Sequence, residues 1–397
     1  MRRKNATNAA RRSIATTDHN AGRDIAIIGG GIGGLTAALA FARSDAHVTV
    51  YEQAPALTEV GAGLQITPNA ARALNKLDLT GAMGVTGLQA DAVLPMDGIT
   101  GEQIARFDLG QQSPPYRFFH RAALIDLLAR ACDAQGVTVR LNCRIEQFHD
   151  DGFVVRGQDI RPDLIVGADG LRSEVRSQIL PPRDPFFTGQ VAWRAMVKLP
   201  DMAPVARIWM LPGRHVVTYP LPNGRVNIVA VQERDDWAAE GWHHKDAPDN
   251  LRAAFADAAP ELQAILDAVD QVFLWGLFRH PVAARWHSGR FVLLGDAAHP
   301  TLPFLAQGAN LAIEDAYVLA RSCGEKADIS DGLQTYQSAR QPRVIRAINA
   351  ANSNAKSYHL SGVKRKVAHT ALRTMGRIAP DAFLGRMSWL YDHDVTG

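Results

Sequence analysis

Three short stretches of this chain hold small and acidic residues in spacings that could bind a nucleotide cofactor, and each needs a particular backbone around it. Gly29-Gly30-Gly31-Ile32-Gly33-Gly34 satisfies G-x-G-x-x-G through Gly29, Gly31 and Gly34. The first glycine makes a tight turn, the second lets backbone approach a pyrophosphate, and the third lets a helix pack on its strand. The N–H groups at that helix start then face the phosphates, with Gly33 adding no bulk. Glu52, followed by Gln53, ends the next strand, where its carboxylate can accept hydrogen bonds from an adenosine ribose. Asp169 sits in Gly167-Ala168-Asp169-Gly170, with Ser173 and Arg176 a helical turn or so later; alone, this is equally an ordinary strand-turn-helix. Asp296, in Gly295-Asp296-Ala297-Ala298-His299-Pro300, is delivered by an apolar run to a turn. Gln307, Gly308, Ala309 and Asn310 then lead into a helix. That pairing sets a carboxylate for a polyol beside a helix start that stabilises an anion.

The elements that must position these groups are readable from periodicity. Asp24–Gln53 reads as a βαβ unit, with a buried strand at residues 25–28, a helix at 35–43 and a strand at 47–51. Helical periodicity returns at residues 69–77 and 121–134. Short strands follow at 137–141 and 153–156, and a continuous apolar strand at 164–166. From Gln190 four strand-like runs follow, at 191–199, 205–211, 215–221 and 225–232, separated by turns that include Pro222-Asn223-Gly224. Five of the seven tryptophans lie between residues 190 and 280, which marks a second, largely antiparallel domain inserted into the first. The division expected is a disordered tail at 1–23; a discontinuous nucleotide domain at 24–90, 120–185 and 285–345; an inserted sheet at 91–119 and 186–284; and C-terminal helices at 346–397.

Composition excludes several classes. The formal charge is +3, but residues 1–23 hold six basic side chains and one acid; the remainder carries 37 basic and 39 acidic groups. A near-neutral body gives no nucleic-acid surface. The basic tail faintly resembles an organellar transit peptide, and a disordered extension is the plainer reading. Residues 25–42 are uncharged, yet five glycines divide them into a strand and a helix, so no membrane span is expected. Cys132, Cys143 and Cys323 have neither disulfide nor metal-site spacing, which fits a cytoplasmic protein without a bound metal.

Together, the three motifs point to bound FAD, and only one dinucleotide fingerprint exists. In order and spacing they resemble the class A flavoprotein aromatic hydroxylases, single-component FAD monooxygenases, over Asp24 to about Arg343. Gly61-Ala62-Gly63-Leu64-Gln65-Ile66-Thr67-Pro68-Asn69, His120-Arg121-Ala122-Ala123-Leu124 and Ala306-Gln307-Gly308-Ala309 resemble the salicylate, 3-hydroxybenzoate and 6-hydroxynicotinate hydroxylase branch. The resemblance implies an α/β fold, a Rossmann-like FAD domain of the p-hydroxybenzoate hydroxylase (GR2) type, with the inserted sheet binding substrate. It also implies non-covalent FAD, NAD(P)H as co-substrate, and O₂ activated as the flavin C4a-hydroperoxide to hydroxylate a small aromatic. On the same grounds Asp296 meets the ribityl chain and the 307–310 turn the flavin pyrimidine edge. Arg121 meets FAD, and the Asp169 turn serves FAD and NAD(P)H. As a solvated helix-start residue, Arg121 has a plainer reading too. His299 reads as a structural partner of nearby backbone.

Substrate chemistry falls to the inserted sheet. In His215-Val216-Val217-Thr218-Tyr219, residues 215, 217 and 219 share a strand face, placing His215 and Tyr219 roughly 13 Å apart along it. They could bracket an aromatic ring over Val217, with His215 deprotonating a phenol and Tyr219 assisting. A hydrogen-bonded core histidine is the competing reading. The branch often has a polar side chain between Pro300 and the Ala-Gln-Gly-Ala segment. Here Pro303 and Phe304 imply an apolar wall, and Gln65 could supply the polar contact. Epoxidation, hydroxylation of a polycyclic natural product, and flavin reduction without oxygen activation stay open, as do monomer and homodimer.

Overall fold

Continuous apolar runs make the strands of a parallel sheet that must be covered on both faces. In the computed structural model, which describes residues 18–57, 62–234 and 244–397, that sheet has six strands. Asp24–Ile28 lies at its centre, paired in parallel with His47–Tyr51 on one side and Leu164–Gly167 on the other. Thr138–Arg140 and Phe291–Leu293 extend it in parallel, and His287–Ser288 closes one edge antiparallel. The helices Ile32–Ala42 and Gly308–Gly324 pack on each other above it through buried alanine, leucine and isoleucine.

The second sheet has eight strands. Its centre is antiparallel: Val272–Arg279, Phe186–Lys198, Arg225–Glu233, Arg214–Leu221 and Val205–Leu211 are successive neighbours. Ala92–Asp97 then adds in parallel to Val205–Leu211. The hairpin at residues 222–224 turns where Asn223 (φ +69°) and Gly224 (φ +67°) take left-handed backbone. One sheet face packs on the short helices Pro248–Ala254 and Pro260–Asp267, burying Trp193 and Trp209.

Several boundaries differ from those read off the chain. Residues 1–17 lie outside the described residues, but the expected tail is too long. Asp18–Arg23 pack against the end of the Gly308–Gly324 helix, where buried Asn20 donates to the Ala320 carbonyl (2.7 Å) and Arg23 to that of Cys323 (3.1 Å). The strand Arg117–His120, whose first three residues were expected with the inserted sheet, pairs with Gly63–Ile66 and Leu88–Gln89 in a separate three-stranded sheet. The expected start of the C-terminal helices at 346 falls inside one 30-residue helix, Ile329–Tyr358, that continues through Pro342. Ion pairs of Arg340 and Arg343 anchor it on both sides of the proline. Gly362–Ile378 and Pro380–Tyr391 follow. Among the described residues no helix is long and apolar enough to cross a membrane.

Candidate active site

The glycine turn behaves as its spacing requires. Gly29 has φ +109°, and a Cβ there would lie 2.4 Å from the Ala168 carbonyl oxygen. A Cβ on Gly34 would meet the Gly29 oxygen at 2.0 Å, so neither position accepts a side chain. A Cβ on Gly31 would meet nothing within 4 Å, which leaves open space at the helix start where a pyrophosphate has to approach. Gly33 packs toward Leu294 and Ala312, joining this turn to the Gly308–Gly324 helix. Glu52 is half-buried, accepting from Gly30 N–H through Oε2 and Ala54 N–H through Oε1, both at 2.7 Å. Each oxygen keeps a lone pair for a ribose hydroxyl. Gln53, beside it, is exposed.

Asp169 adjoins the glycine turn at Gly29, and Arg121 interacts with Asp296. Asp169 Oδ2 accepts the Glu174 and Val175 N–H groups (2.8 and 3.2 Å), while Oδ1 has no hydrogen-bond partner within the protein. Burial raises its carboxyl, against hydrogen bonds from Ser173 and backbone that lower it. Asp296 is exposed on a turn whose neighbours Gly295 and Ala297 are buried. Desolvation raises its carboxyl too, while His299 and the Arg121 charge oppose the rise. Arg121, first residue of the helix Arg121–Ala134, is lowered by burial and raised by Asp296. The Gly308 helix supplies unbonded first-turn N–H groups at Gly308 and Ala309. Asn310 is different in its side chain. It accepts from Thr67 N–H (2.9 Å) and donates to the Gln65 and Ala306 carbonyls (2.8 and 2.6 Å), locking the Gly63–Ile66 strand to the helix. An open phosphate cradle, a ribose acceptor and a polyol carboxylate fit a flavin dinucleotide.

Beneath this turn lies a buried ion cluster that sequence reading missed. His299 Nε2 meets Asp315 Oδ2 at 2.5 Å, so its partner is a carboxylate 16 residues on and the expected backbone role is corrected. Asp315 also accepts from Gly295 N–H (3.1 Å) and Arg340 Nε (2.7 Å). Glu314 takes Arg343 through two bonds of 2.7 Å, Arg340 at 2.6 Å and Asn69 at 2.6 Å. Burial alone would raise the Asp315 carboxyl, but His299 and Arg340 outweigh it and bring it down to about 2. Glu-Asp at the core position of a helix, with two arginines three apart on another, was the available signal.

On the inserted sheet His215, Val217 and Tyr219 do share one face. Val216 and Thr218 point the other way, Thr218 accepting the Trp209 indole N–H at 3.1 Å. Val217 packs both with Phe304 and with Tyr219. Phe304 is buried, its ring 5.5 Å from that of His215, while Pro303 is half-buried in the same loop. Tyr219 stacks 5.0 Å from Phe118 and shares Gln65 with Tyr116, whose hydroxyl donates to Gln65 Oε1 at 2.5 Å. Burial pushes the Tyr219 phenol up, against Arg194 and Gln65.

Register exposes a further residue. Arg194 lies opposite Val229, and Val229 opposite Val217, so the three form a row across adjacent strands, flanked by the Ala192–Val231–His215 and Met196–Asn227–Tyr219 rows. Its guanidinium stacks 4.8 Å over Trp275 and interacts with Arg121 and Tyr219. Burial lowers it to about 10. The alternation Trp193-Arg194-Ala195, a cation between apolar residues, could have revealed it.

A glycine turn built for a dinucleotide, joined through Arg121 and Arg194 to a sheet face of mixed aromatic and polar side chains, defines a flavoprotein that binds FAD beside that face. Residues 23–351 match the family model described as FAD binding domain, and the chain belongs to that family. It is 35% identical to 3-amino-4-hydroxybenzoate 2-monooxygenase PtmB3 of Streptomyces platensis, over 94% of this chain and 96% of the relative. It is 34% identical to 3-hydroxybenzoate 6-hydroxylase 1 of Aquipseudomonas alcaligenes, over 94% and 98%. A salicylate hydroxylase substrate complex shares the fold at TM-score 0.77 and 22% identity, covering 94% of this chain and 96% of the other. The protein is thus an FAD-dependent monooxygenase of the class A aromatic hydroxylase type, as its three motifs implied.

Proposed function

We propose that the substrate is a small phenolic acid, hydroxylated with NAD(P)H and O₂ in the cytoplasm. The observation that carries this reading is the sheet face that His215, Val217 and Tyr219 share with Arg194, whose row across the strands is that of Val217. Two strand spacings separate Arg194 from Val217, roughly 10 Å. A benzoate-sized ring laid over Val217 and Val229 presents its carboxylate to Arg194 and its hydroxyl to His215 and Tyr219. The names of the curated relatives, both hydroxybenzoate oxygenases, are consistent with such a ligand. Three free, buried thiols agree with a reducing compartment.

Bound FAD supplies electron storage and oxygen transfer; the chain's own residues supply position and proton handling. Gly29, Gly31, Gly33, Gly34, Glu52 and Gln53 take the adenosine and pyrophosphate half. Arg121, Asp169, Asp296, Gly308, Ala309 and Asn310, the last through backbone, take the ribityl and flavin half. His215 removes the phenolic proton, because a phenolate is the better nucleophile toward an electrophilic oxygen. Burial and His359 hold the His215 imidazole well below its usual range, so it stands neutral, with a lone pair free for a hydrogen bond from the substrate. Tyr219 and Gln65 orient the hydroxyl, and Pro303 and Phe304 exclude water from the ring.

The test is a panel of hydroxybenzoates, aminohydroxybenzoates and hydroxynicotinates, scored for stimulated NAD(P)H oxidation and for product mass under ¹⁸O₂. One labelled oxygen in a ring-hydroxylated acid is expected. Stimulated oxidation that yields only hydrogen peroxide with every acid would reject this substrate class.

A further inference from the structure

His215 and its Nδ1 partner form the inner part of a longer chain. His215 Nδ1 lies 2.7 Å from His359 Nε2, and His359 Nδ1 lies 2.8 Å from Glu233 Oε1. Both imidazoles are buried, while the Glu233 side chain is 56% exposed. One turn holds the outer end: Gly213 N–H donates to the His359 carbonyl (3.1 Å), and the Gly213 carbonyl accepts Glu233 N–H (3.0 Å). The end of the Ile329–Tyr358 helix delivers Tyr358, its ring 5.2 Å from His215, and then His359.

The exposed Glu233 carboxylate at the outer end sets the direction of every bond. A carboxylate only accepts, so His359 carries its proton on Nδ1 and offers a lone pair at Nε2. His215 must then donate from Nδ1, which leaves its Nε2 as an unprotonated base. We infer that His215, His359 and Glu233 form a proton relay that carries the phenolic proton of the bound substrate from the buried site to solvent. The inference rests on His215 being the base, as proposed above.

The transfer balances. The substrate O–H bond breaks as His215 Nε2 gains the proton; the Nδ1 proton passes to His359 Nε2, and the His359 Nδ1 proton passes to Glu233 and water. When the phenolate product is reprotonated the same path runs in reverse, which restores both tautomers. Burial lowers both imidazoles, with Glu233 partly offsetting this at His359, so neither retains the proton it passes on. Other groups around the relay leave this direction intact. Arg214, on the same strand, is paired with Asp257; Tyr358 has its phenol pushed up by burial; Phe304 brings no charge.

The test mixes oxidised, FAD-loaded protein with the phenolic acid that most stimulates NAD(P)H oxidation, in weak buffer with a pH-indicator dye. Proton release on binding is followed by stopped flow. Wild type is expected to release protons rapidly. His359→Gln, which can hydrogen-bond but not shuttle, should slow release by about a hundredfold, the lower end of general acid–base effects. Glu233→Gln, on the surface, should slow it several-fold and make it rise with buffer concentration, while substrate affinity and FAD content hold. Release at the wild-type rate in Glu233→Gln and in any folded His359→Gln, with His215→Ala slow, would overturn the relay and leave the base in place. Wild-type release from His215→Ala would remove the base and the relay together. Should His359→Gln fail to fold, Glu233→Gln alone decides.

Discussion

Two buried polar clusters of this molecule are built on opposite terms. Below the Gly295 turn, Glu314, Asp315, Arg340, Arg343 and His299 form a charge-dense network in which the carboxylates and guanidinia compensate one another. On the sheet side, His215 and His359 sit among Phe304 and Tyr358 as near-neutral groups with a single carboxylate at the surface. In the first cluster each charge is fixed by a partner of opposite sign, so protons stay put and geometry is held. In the second, burial without compensating charge keeps imidazoles neutral, the condition for passing a proton. The contrast teaches that burial by itself does not mark a catalytic group; the sign and number of its neighbours decide whether it scaffolds or titrates.

That contrast can be broken most strongly at Arg340. Arg340→Leu leaves Glu314 and Asp315 underpaired in the core, and should cost about 3–5 kcal/mol of stability, read by denaturant unfolding. FAD content should fall with it, because Asp315 holds the Gly295 amide. His215→Ala should act the other way round, slowing hydroxylation by about a hundredfold while thermal stability and FAD content change little. Loss of stability matching that of Arg340→Leu would show the two clusters to be alike.

A smaller effect separates them by pH. The Asp315 carboxyl is depressed to about 2, so it contributes stability at pH values above its unfolded value of about 3.9. That contribution, roughly 2 kcal/mol, is lost as pH falls from about 4 toward 2, and Asp315→Asn should remove the acid limb of the unfolding profile. The smallest effect is expected for Tyr219→Phe. It should raise KM and lower kcat several-fold, since Gln65 and His215 still meet the hydroxyl; an unchanged KM would place Tyr219 outside the substrate site.

The parts of this molecule that were legible along the chain are those whose chemistry is local. Gly29 and Gly34 declare a turn because the contacts that forbid a side chain come from within the same βαβ unit or from the adjoining Ala168 strand end. Glu52 follows from the strand length alone, and the His215–Val217–Tyr219 face follows from the two-residue repeat of any strand. His299 misled because its partner is a side chain two helix turns inside Gly308–Gly324, and spacing along a loop does not say which way the loop folds. Asn310, expected at the flavin turn, has its side chain spent on Thr67 and Gln65, 243 and 245 residues away, which no spacing along the chain announces.

What the sequence by itself determined is the cofactor class, the two-sheet plan and the alternation that puts a histidine and a tyrosine on one face, because hydrophobic period and glycine spacing are properties of neighbouring residues. Only the tertiary structure decided that Arg194 stands in register with Val217, that Phe304 closes on His215, and that His359 and Glu233 connect His215 to water. These are pairings across strand register and across up to 144 residues of chain. They are chosen by which packed arrangement buries apolar area while satisfying each polar group, a global condition that no local pattern carries.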